Sequence, residues 1–166
     1  GLQPPPHRRL PVPVIVTDTP SAEMIKLAAN AFLAAKISYI NEVARLCEHV
    51  GADVTEVARG IGADARIGYR FLNAGFGWGG SCFGKDLAAL DHLARTLGEP
   101  PGIVRAAMDI NASLRDAAIR KLQRELGTLQ GKTVGLLGLA FKPNTDDLRD
   151  APSLDIAARL RDAGAT

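Results

Sequence analysis

Apolar residues in this chain form two long helical patterns that are separated by a glycine-rich stretch. The first pattern predicts a helix over Thr19–Val50, with Pro20 in its first turn and a stop at Gly51. Between positions 22 and 44 nearly every side of this helix is apolar, so we expect it to be buried on all sides. One chain of 166 residues offers little material to surround such a helix, so the pattern predicts a partner subunit.

The second long pattern predicts a helix over residues 102–126. Shorter segments are predicted to be helical or to turn at residues 53–59, 66–73 and 85–97. After Gly127 the run Thr133–Gly138 is typical of a buried strand, and an amphipathic helix is predicted over 151–163. The sequence therefore predicts a mainly α fold with long core helices, followed by the first strand–helix unit of an α/β domain that stops at Thr166.

These patterns divide the chain into three parts. Residues 1–18 are rich in proline, which favours an extended linker or the remnant of a preceding domain. Residues 19–127 are predicted to form a central helical domain for dimerisation and catalysis. Residues 128–166 are predicted to be the truncated start of a further domain.

Charge and composition exclude several classes of function. The 20 Lys and Arg residues and 18 Asp and Glu residues are interspersed, which gives neither a basic stripe for nucleic acid nor a polybasic membrane anchor. The longest apolar-rich stretch, residues 24–35, is too short to span a bilayer. The first residues do not have the pattern of a signal peptide, so a soluble cytoplasmic protein is expected.

The strongest chemical signal is the loop around Cys82, within the run Gly77–Asp86. A helix N-terminus and a nearby ammonium, here Lys85, both favour the thiolate that attacks carbonyl carbon. The residues alone leave a second interpretation open, a small buried cysteine in a glycine-rich turn. Cys47 continues a helical apolar stripe and is predicted to pack in the core. The two cysteines have no metal-binding spacing, and no metal site is predicted.

Lys26 and Asn30 are the polar residues between Glu23 and Lys36 on the first long helix. A spacing of four places them on one face, where an ammonium and an amide together can stabilise an oxyanion. The residues alone favour the simpler interpretation, in which Lys26 reaches solvent and Asn30 caps a local group.

Several segments, in the right order, resemble the UDP-glucose/GDP-mannose dehydrogenase family over roughly residues 14–166. The similar segments are Ser21–Asn30 with Ile40–Glu42, Gly51–Val54, Asp64–Gly68, Gly79–Phe83 with Lys85–Asp86, and Phe141–Arg149. The resemblance implies that the last domain is a Rossmann-like sugar-nucleotide domain.

The resemblance also implies a reaction, the four-electron oxidation of a sugar-nucleotide alcohol to a carboxylate with two molecules of NAD. By this resemblance Cys82 adds to the intermediate aldehyde, hydride transfer gives a thioester, and water hydrolyses it. Lys26 and Asn30 would stabilise negative charge on oxygen. Asp86 would orient or activate the water.

The remaining site residues also follow from the resemblance alone. Besides Lys26 and Asn30, the implied contacts to the UDP-sugar are Arg66, which can reach across a dimer, Phe71, Leu72, Asn73, Ala74, Gly75, Gly79, Phe141 and Lys142. Lys85 and Arg149 match residues near NAD, whose site lies mostly on an N-terminal domain. The resemblance implies a homodimer through the Thr19–Val50 helix.

This sequence departs from the family pattern at Gly84, where proline is usual, and at Asn73, where a basic residue is more common. The N-terminal NAD-binding domain is missing, so we expect no turnover by this chain alone. Residues 64–68 and Ser81 favour UDP-glucose as substrate. GDP-mannose and UDP-N-acetylhexosamine are alternatives, and a non-catalytic helical dimerisation module remains open.

Overall fold

The computed structural model describes residues 14–166. Within these residues it contains the helices α1 (Thr19–Val50), α2 (Val54–Gly62), α3 (Phe83–Thr96), α4 (Gly102–Leu126) and α5 (Pro152–Asp162). The mainly helical class is confirmed. Of the predicted linker over residues 1–18, residues 1–13 lie outside the described part of the chain.

The first helix has the predicted bounds, and its two ends are capped by side-chain and backbone contacts. Asp18 Oδ1 accepts a hydrogen bond of 2.8 Å from the backbone N–H of Ser21, so Asp18 is the N-cap of this helix. At the other end Gly51 takes a left-handed conformation (φ +73°), and its N–H donates to the carbonyl of Cys47.

One face of α1 packs against α3 and α4 around a core of Ala31, Ala34, Trp78 and Leu87. Cys47 is buried, as the pattern predicted. Within the described residues the other helices cover only one stripe of α1, so burial of its remaining sides by a partner subunit stays a prediction. The opposite stripe leaves large apolar side chains exposed at Ile25, Phe32, Tyr39 and Leu46.

Helix α2 differs from its prediction at its C-terminal end. It runs to Gly62, three residues beyond the predicted end at residue 59. A Cβ on Gly62 would lie 2.7 Å from the Tyr69 ring, so this glycine permits close packing. Residues 66–73 form turns, one of the two predicted alternatives for this segment. Lys36 Nζ donates to the carbonyl of Ile67 at 2.9 Å and fixes this segment on α1.

The predicted strand at Thr133–Gly138 does not form, and these residues have no regular secondary structure. A strand needs a second run of backbone, and here only Thr166 supplies one. The N–H of Val134 donates to Thr166 O, and the N–H of Thr166 donates to Lys132 O, both at 2.8 Å.

Helix α5 nevertheless packs firmly on the central helices. Ile156 and Leu160 of α5 join Ala118 of α4 and Leu129, which follows α4, in a second buried cluster. Helix α4 therefore contributes to this cluster and also packs on α1, so it joins the segment after residue 128 to the helical part. No helix among residues 14–166 combines the length and the apolarity needed to cross a membrane.

Candidate functional site

Cys82 is exposed at the first turn of α3, where the glycine-rich loop becomes helical. Its Sγ lies 3.8 Å from Ser81 Oγ. The free backbone N–H groups of the first turn of a helix give this end a partial positive charge. The cysteine therefore lies where an attacking sulfur and an anionic intermediate would both be favoured.

Lys26 and Asn30 converge on the carboxylate of Asp86. Lys26 Nζ and Asn30 Nδ2 donate to the same atom, Asp86 Oδ2, at 2.7 Å and 2.6 Å. The Lys26 hydrogen bond is the main cause that lowers the pKa of Asp86, and burial of the carboxylate opposes it. Asp86 is therefore ionised at neutral pH.

Asp86 follows Cys82 by one helical turn, and its N–H donates to the carbonyl of Cys82 at 3.0 Å. The Lys26 side chain is 61% exposed, so its ammonium keeps donors that can face a ligand. The fold thus brings together the four predicted catalytic residues on two helices, where they offer an exposed thiol, two hydrogen-bond donors and an ionised carboxylate.

The segment that follows α4 lies directly against the cysteine loop. A Cβ on Gly79 would lie 1.9 Å from the carbonyl oxygen of Asp150. A Cβ on Gly80 would lie 2.7 Å from the Phe141 ring, and Lys142 Nζ lies 5.2 Å from the centre of that ring. The predicted substrate residues Gly79, Phe141 and Lys142 are therefore adjacent to the loop that carries Cys82.

Arg149 forms an ion pair with Asp147, in which Nη2 and Oδ2 are 2.6 Å apart. This pair lowers the pKa of Asp147 to about 2. The pKa of Arg149 is raised, mainly by Asp147, and Cys82 makes a smaller contribution. Arg149 thus lies within electrostatic range of the cysteine.

Lys85 and Arg149 are exposed cations at the edge of the cysteine loop. Their positive charge suits an anionic ligand such as a phosphate. Gly135 and Gly138 follow one another at a spacing that faintly resembles a dinucleotide-binding fingerprint, but they do not form a phosphate-binding turn, because α5 begins only at Pro152. Within residues 14–166 a complete dinucleotide site is therefore not built.

The remaining predicted residues lie elsewhere in the helical part. Arg66 is exposed and forms an ion pair with Asp64, in which Arg66 Nη2 donates to Asp64 Oδ2 at 2.6 Å. Leu72 is buried, so only its backbone is available to a ligand. Phe71 (φ +65°), Asn73, Ala74 and Gly75 form an exposed loop. The N–H of Gly75 donates to Asn41 Oδ1 at 2.8 Å, which ties this loop to α1.

A set of buried polar residues was missed by the sequence analysis. These residues hold the loop before Cys82, and they are Ser38, Asn41, Asn111 and Arg115. Each of these residues interrupts an apolar helical face. A polar residue at such a position indicates a buried hydrogen bond, and this is the sequence signal that could have found them.

Comparison with known proteins identifies the family to which both parts of the chain are similar. Residues 20–113 match the UDP-glucose/GDP-mannose dehydrogenase family, central domain, and residues 135–166 match the UDP binding domain of the same family. UDP-glucose 6-dehydrogenase TuaD of Bacillus subtilis is 52% identical over 159 residues, which are 96% of this chain and 34% of that protein.

Solved structures show the same relationship. A UDP-glucose dehydrogenase from Pyrobaculum islandicum superposes with a TM-score of 0.90 at 42% identity, over 93% of this chain and 36% of that one. An NDP-N-acetyl-D-galactosaminuronic acid dehydrogenase from Methanosarcina mazei gives 0.76 at 29% identity, over 88% and 34%. The chain thus spans about a third of the length of these relatives. Since the central-domain match alone covers more than half of its residues, the chain belongs to the UDP-glucose/GDP-mannose dehydrogenase family.

Proposed function

We propose that this chain supplies the cysteine-bearing centre of an NAD-dependent UDP-glucose 6-dehydrogenase, which converts UDP-glucose to UDP-glucuronate. The observation that carries the proposal is the placement of Cys82 one turn before Asp86, whose carboxylate is held by Lys26 and Asn30. A nucleophile beside clustered donors is what addition to an aldehyde requires.

The residues of this chain act after the alcohol has been oxidised to the aldehyde. Cys82 Sγ attacks the aldehyde carbon, and the new negative charge on oxygen faces the remaining donors of Lys26 and Asn30. Loss of hydride from this thiohemiacetal gives a thioester on Cys82. Bound NAD would supply the hydride acceptor for each of the two oxidations, and Lys85 and Arg149 are the residues of this chain that would contact it.

Hydrolysis releases the acid and regenerates the thiol. A water molecule attacks the thioester carbon, and the C–S bond breaks. Asp86, ionised because Lys26 lowers its pKa, can accept a hydrogen bond from this water and orient it. Asp86 also holds the Lys26 ammonium in place, a role that the sequence alone did not suggest.

The two parts of the chain then have different roles. Residues 19–127 form the central catalytic and dimerisation domain, and residues 128–166 begin the domain that binds the UDP-sugar. Phe141 and Lys142 reach the substrate from this second part, and the loop over residues 71–75 reaches it from the first. The NAD site lies mostly on a further domain outside residues 1–166, so these residues alone do not turn over.

UDP-glucose is the favoured substrate within the family. The B. subtilis and P. islandicum relatives at 52% and 42% identity are both named for UDP-glucose, whereas the relative named for an N-acetylated sugar is 29% identical. The residues Asp64–Gly68 and Ser81 agree with this choice.

The same proposal includes a homodimer through α1. The side chains of Ile25, Phe32, Tyr39 and Leu46 recur every seven residues on one face, and each is more than half exposed. A row of large apolar side chains at this spacing is the pattern of a helix that packs against another helix. We therefore assign this row, the α1 stripe, to contact with a second copy.

The test is product analysis with the full-length enzyme that contains this chain. With UDP-glucose, two molecules of NADH should form for each molecule of UDP-glucuronate. GDP-mannose and UDP-N-acetylglucosamine are the competing substrates. Higher kcat/KM with either competitor would reassign the substrate, and the absence of NADH formation with all three would reject the dehydrogenase.

A further inference from the structure

Asn111 of α4 pairs with both backbone groups of Trp78. The Trp78 N–H donates to Asn111 Oδ1 at 2.8 Å, and Asn111 Nδ2 donates to the Trp78 carbonyl at 3.1 Å. Arg115 Nη2, one turn further along α4, donates to the same carbonyl at 3.1 Å. Asn111, Trp78 and Arg115 are all buried, so solvent does not compete for these bonds.

Gly77 makes this pairing possible. It has a φ of +92°, and a Cβ at this position would lie 2.1 Å from Asn111 Oδ1. Any larger residue would therefore push the amide of Asn111 away from the loop. Packing against Asn111 therefore explains why position 77 is a glycine, and no bound ligand is needed to explain it.

The side chain of Trp78 is fixed as firmly as its backbone. Its indole Nε1 donates to Ser38 Oγ at 3.0 Å, and Ser38 Oγ donates to the carbonyl of Ala107 at 2.7 Å. The indole also meets the Phe83 ring edge-on, with 6.0 Å between the ring centres. Phe83 directly follows Cys82, so Trp78 contacts the chain on the far side of the cysteine.

We infer that Asn111 is a positioning residue for Cys82 and acts through Trp78. Between Trp78 and Cys82 lie Gly79, Gly80 and Ser81, and two glycines in succession leave the backbone free to move unless its ends are held. The Asn111 amide holds one end, and the indole contact with Phe83 holds the other. The inference rests on the proposed function, because the position of Cys82 matters only for the aldehyde step.

This role predicts a selective defect in the full-length enzyme. Oxidation of the alcohol does not use Cys82, whereas oxidation of the aldehyde does. In Asn111→Ala we expect kcat for UDP-glucose aldehyde, supplied directly, to fall by about 10-fold to 100-fold, the loss that misplacement of a reacting group produces. The KM for the aldehyde should change little, and UDP-glucose should yield aldehyde that hydroxylamine can trap.

Two further variants keep the test decisive. Asn111→Asp retains the acceptor for the Trp78 N–H but turns a carboxylate oxygen toward the Trp78 carbonyl in place of the donor, so its defect should be equally selective for the aldehyde step. Ser113→Ala lies on the same helix and removes a hydroxyl that contacts Arg45 and Ile110 rather than the loop, so it should leave both steps unchanged.

An equal fall in kcat for the alcohol and for the aldehyde oxidation would overturn the inference. An unchanged kcat for the aldehyde in both Asn111 variants would overturn it too. If Asn111→Ala does not fold, Asn111→Asp decides by the same comparison. Failure of the proposed function gives a different result, since the unmodified enzyme would then form no acid from the aldehyde.

Discussion

The Lys26 ammonium lies 2.7 Å from Asp86 Oδ2, although 60 residues separate the two positions in the sequence. This ion pair joins α1 to the helix that carries Cys82. Because the pair lowers the pKa of Asp86, the carboxylate binds fewer protons in the folded chain than in the unfolded chain.

The first prediction is that Asp86 makes the stability of this chain dependent on pH at the acidic end. A lowered pKa contributes stability that is present above the ordinary value of 3.8 and is lost as the pH falls below it. The difference in unfolding free energy between the unmodified chain and Asp86→Asn should therefore shrink below pH 3.8. Urea unfolding at a series of pH values measures this difference.

The control for this prediction is Asp162→Asn, which removes an exposed carboxylate at the end of α5. Lys26→Met should cost about 1 kcal/mol at neutral pH, because the lysine side chain is largely exposed. An equal difference between the unmodified chain and Asp86→Asn at all pH values would contradict the role of the pair.

The second prediction separates the two cysteines. In the full-length enzyme Cys82→Ser should abolish formation of the acid and leave the fold intact, because serine is nearly isosteric and far less ionised near neutral pH. Cys47→Ser should instead cost about 1–3 kcal/mol of stability, because it buries a hydroxyl on an apolar helix face.

Alkylation offers a second measurement of this difference in the chain itself. Cys82 is exposed and Cys47 is buried, so iodoacetamide should modify Cys82 first, as peptide mass spectrometry can follow. Normal acid formation by Cys82→Ser would reject the covalent mechanism.

The third prediction concerns the contact between the cysteine loop and Phe141. Gly80 and Gly98 both have positive φ values, +83° and +75°, so alanine costs about 1–2 kcal/mol at either site. Only at Gly80 would the new Cβ also meet the Phe141 ring, at 2.7 Å, whereas at Gly98 nothing lies within 4 Å. Gly80→Ala should therefore destabilise the chain by about 1–3 kcal/mol more than Gly98→Ala does.

Thermal unfolding of the two alanine variants, read beside the unmodified chain, gives this difference directly. Equal destabilisation by the two substitutions would show that Phe141 does not press on Gly80 in solution.

The fourth prediction concerns the α1 stripe. Sedimentation of the chain at micromolar concentration should show a dimer, and the double variant Phe32→Asp with Tyr39→Asp should be a monomer, because two carboxylates cannot be buried in an apolar contact. Leu97→Asp is the matched control, since Leu97 is equally exposed but lies at the end of α3. A stable monomer of the unmodified chain at that concentration would reject the assignment.

The long helices could be predicted because their signals are local. Periodicity and Gly51 set the bounds of α1, and these signals lie within the helix or next to it. The end of α2 was mispredicted because Gly62 is explained by the distant Tyr69 ring. The strand predicted at Thr133–Gly138 does not form, because a strand depends on the backbone that pairs with it and not on its own residues alone.

The candidate site was also predictable only where its signals are local. Helical spacing placed Lys26 and Asn30 on one face but did not reveal that Asp86 lies opposite them. The implied roles came from the resemblance to a family. Asn111 was missed because its partner is the backbone of Trp78, and backbone groups leave no trace in a sequence pattern.

Helix α1 carries Asn30 toward Asp86 and Phe32 toward the surface, two residues and about 3 Å apart along the helix axis. A shift of the helix at its exposed side therefore moves the amide of Asn30 by a similar amount. If the α1 stripe is the contact between subunits, dilution should lower the specific activity itself, so that the rate falls more steeply than the enzyme concentration.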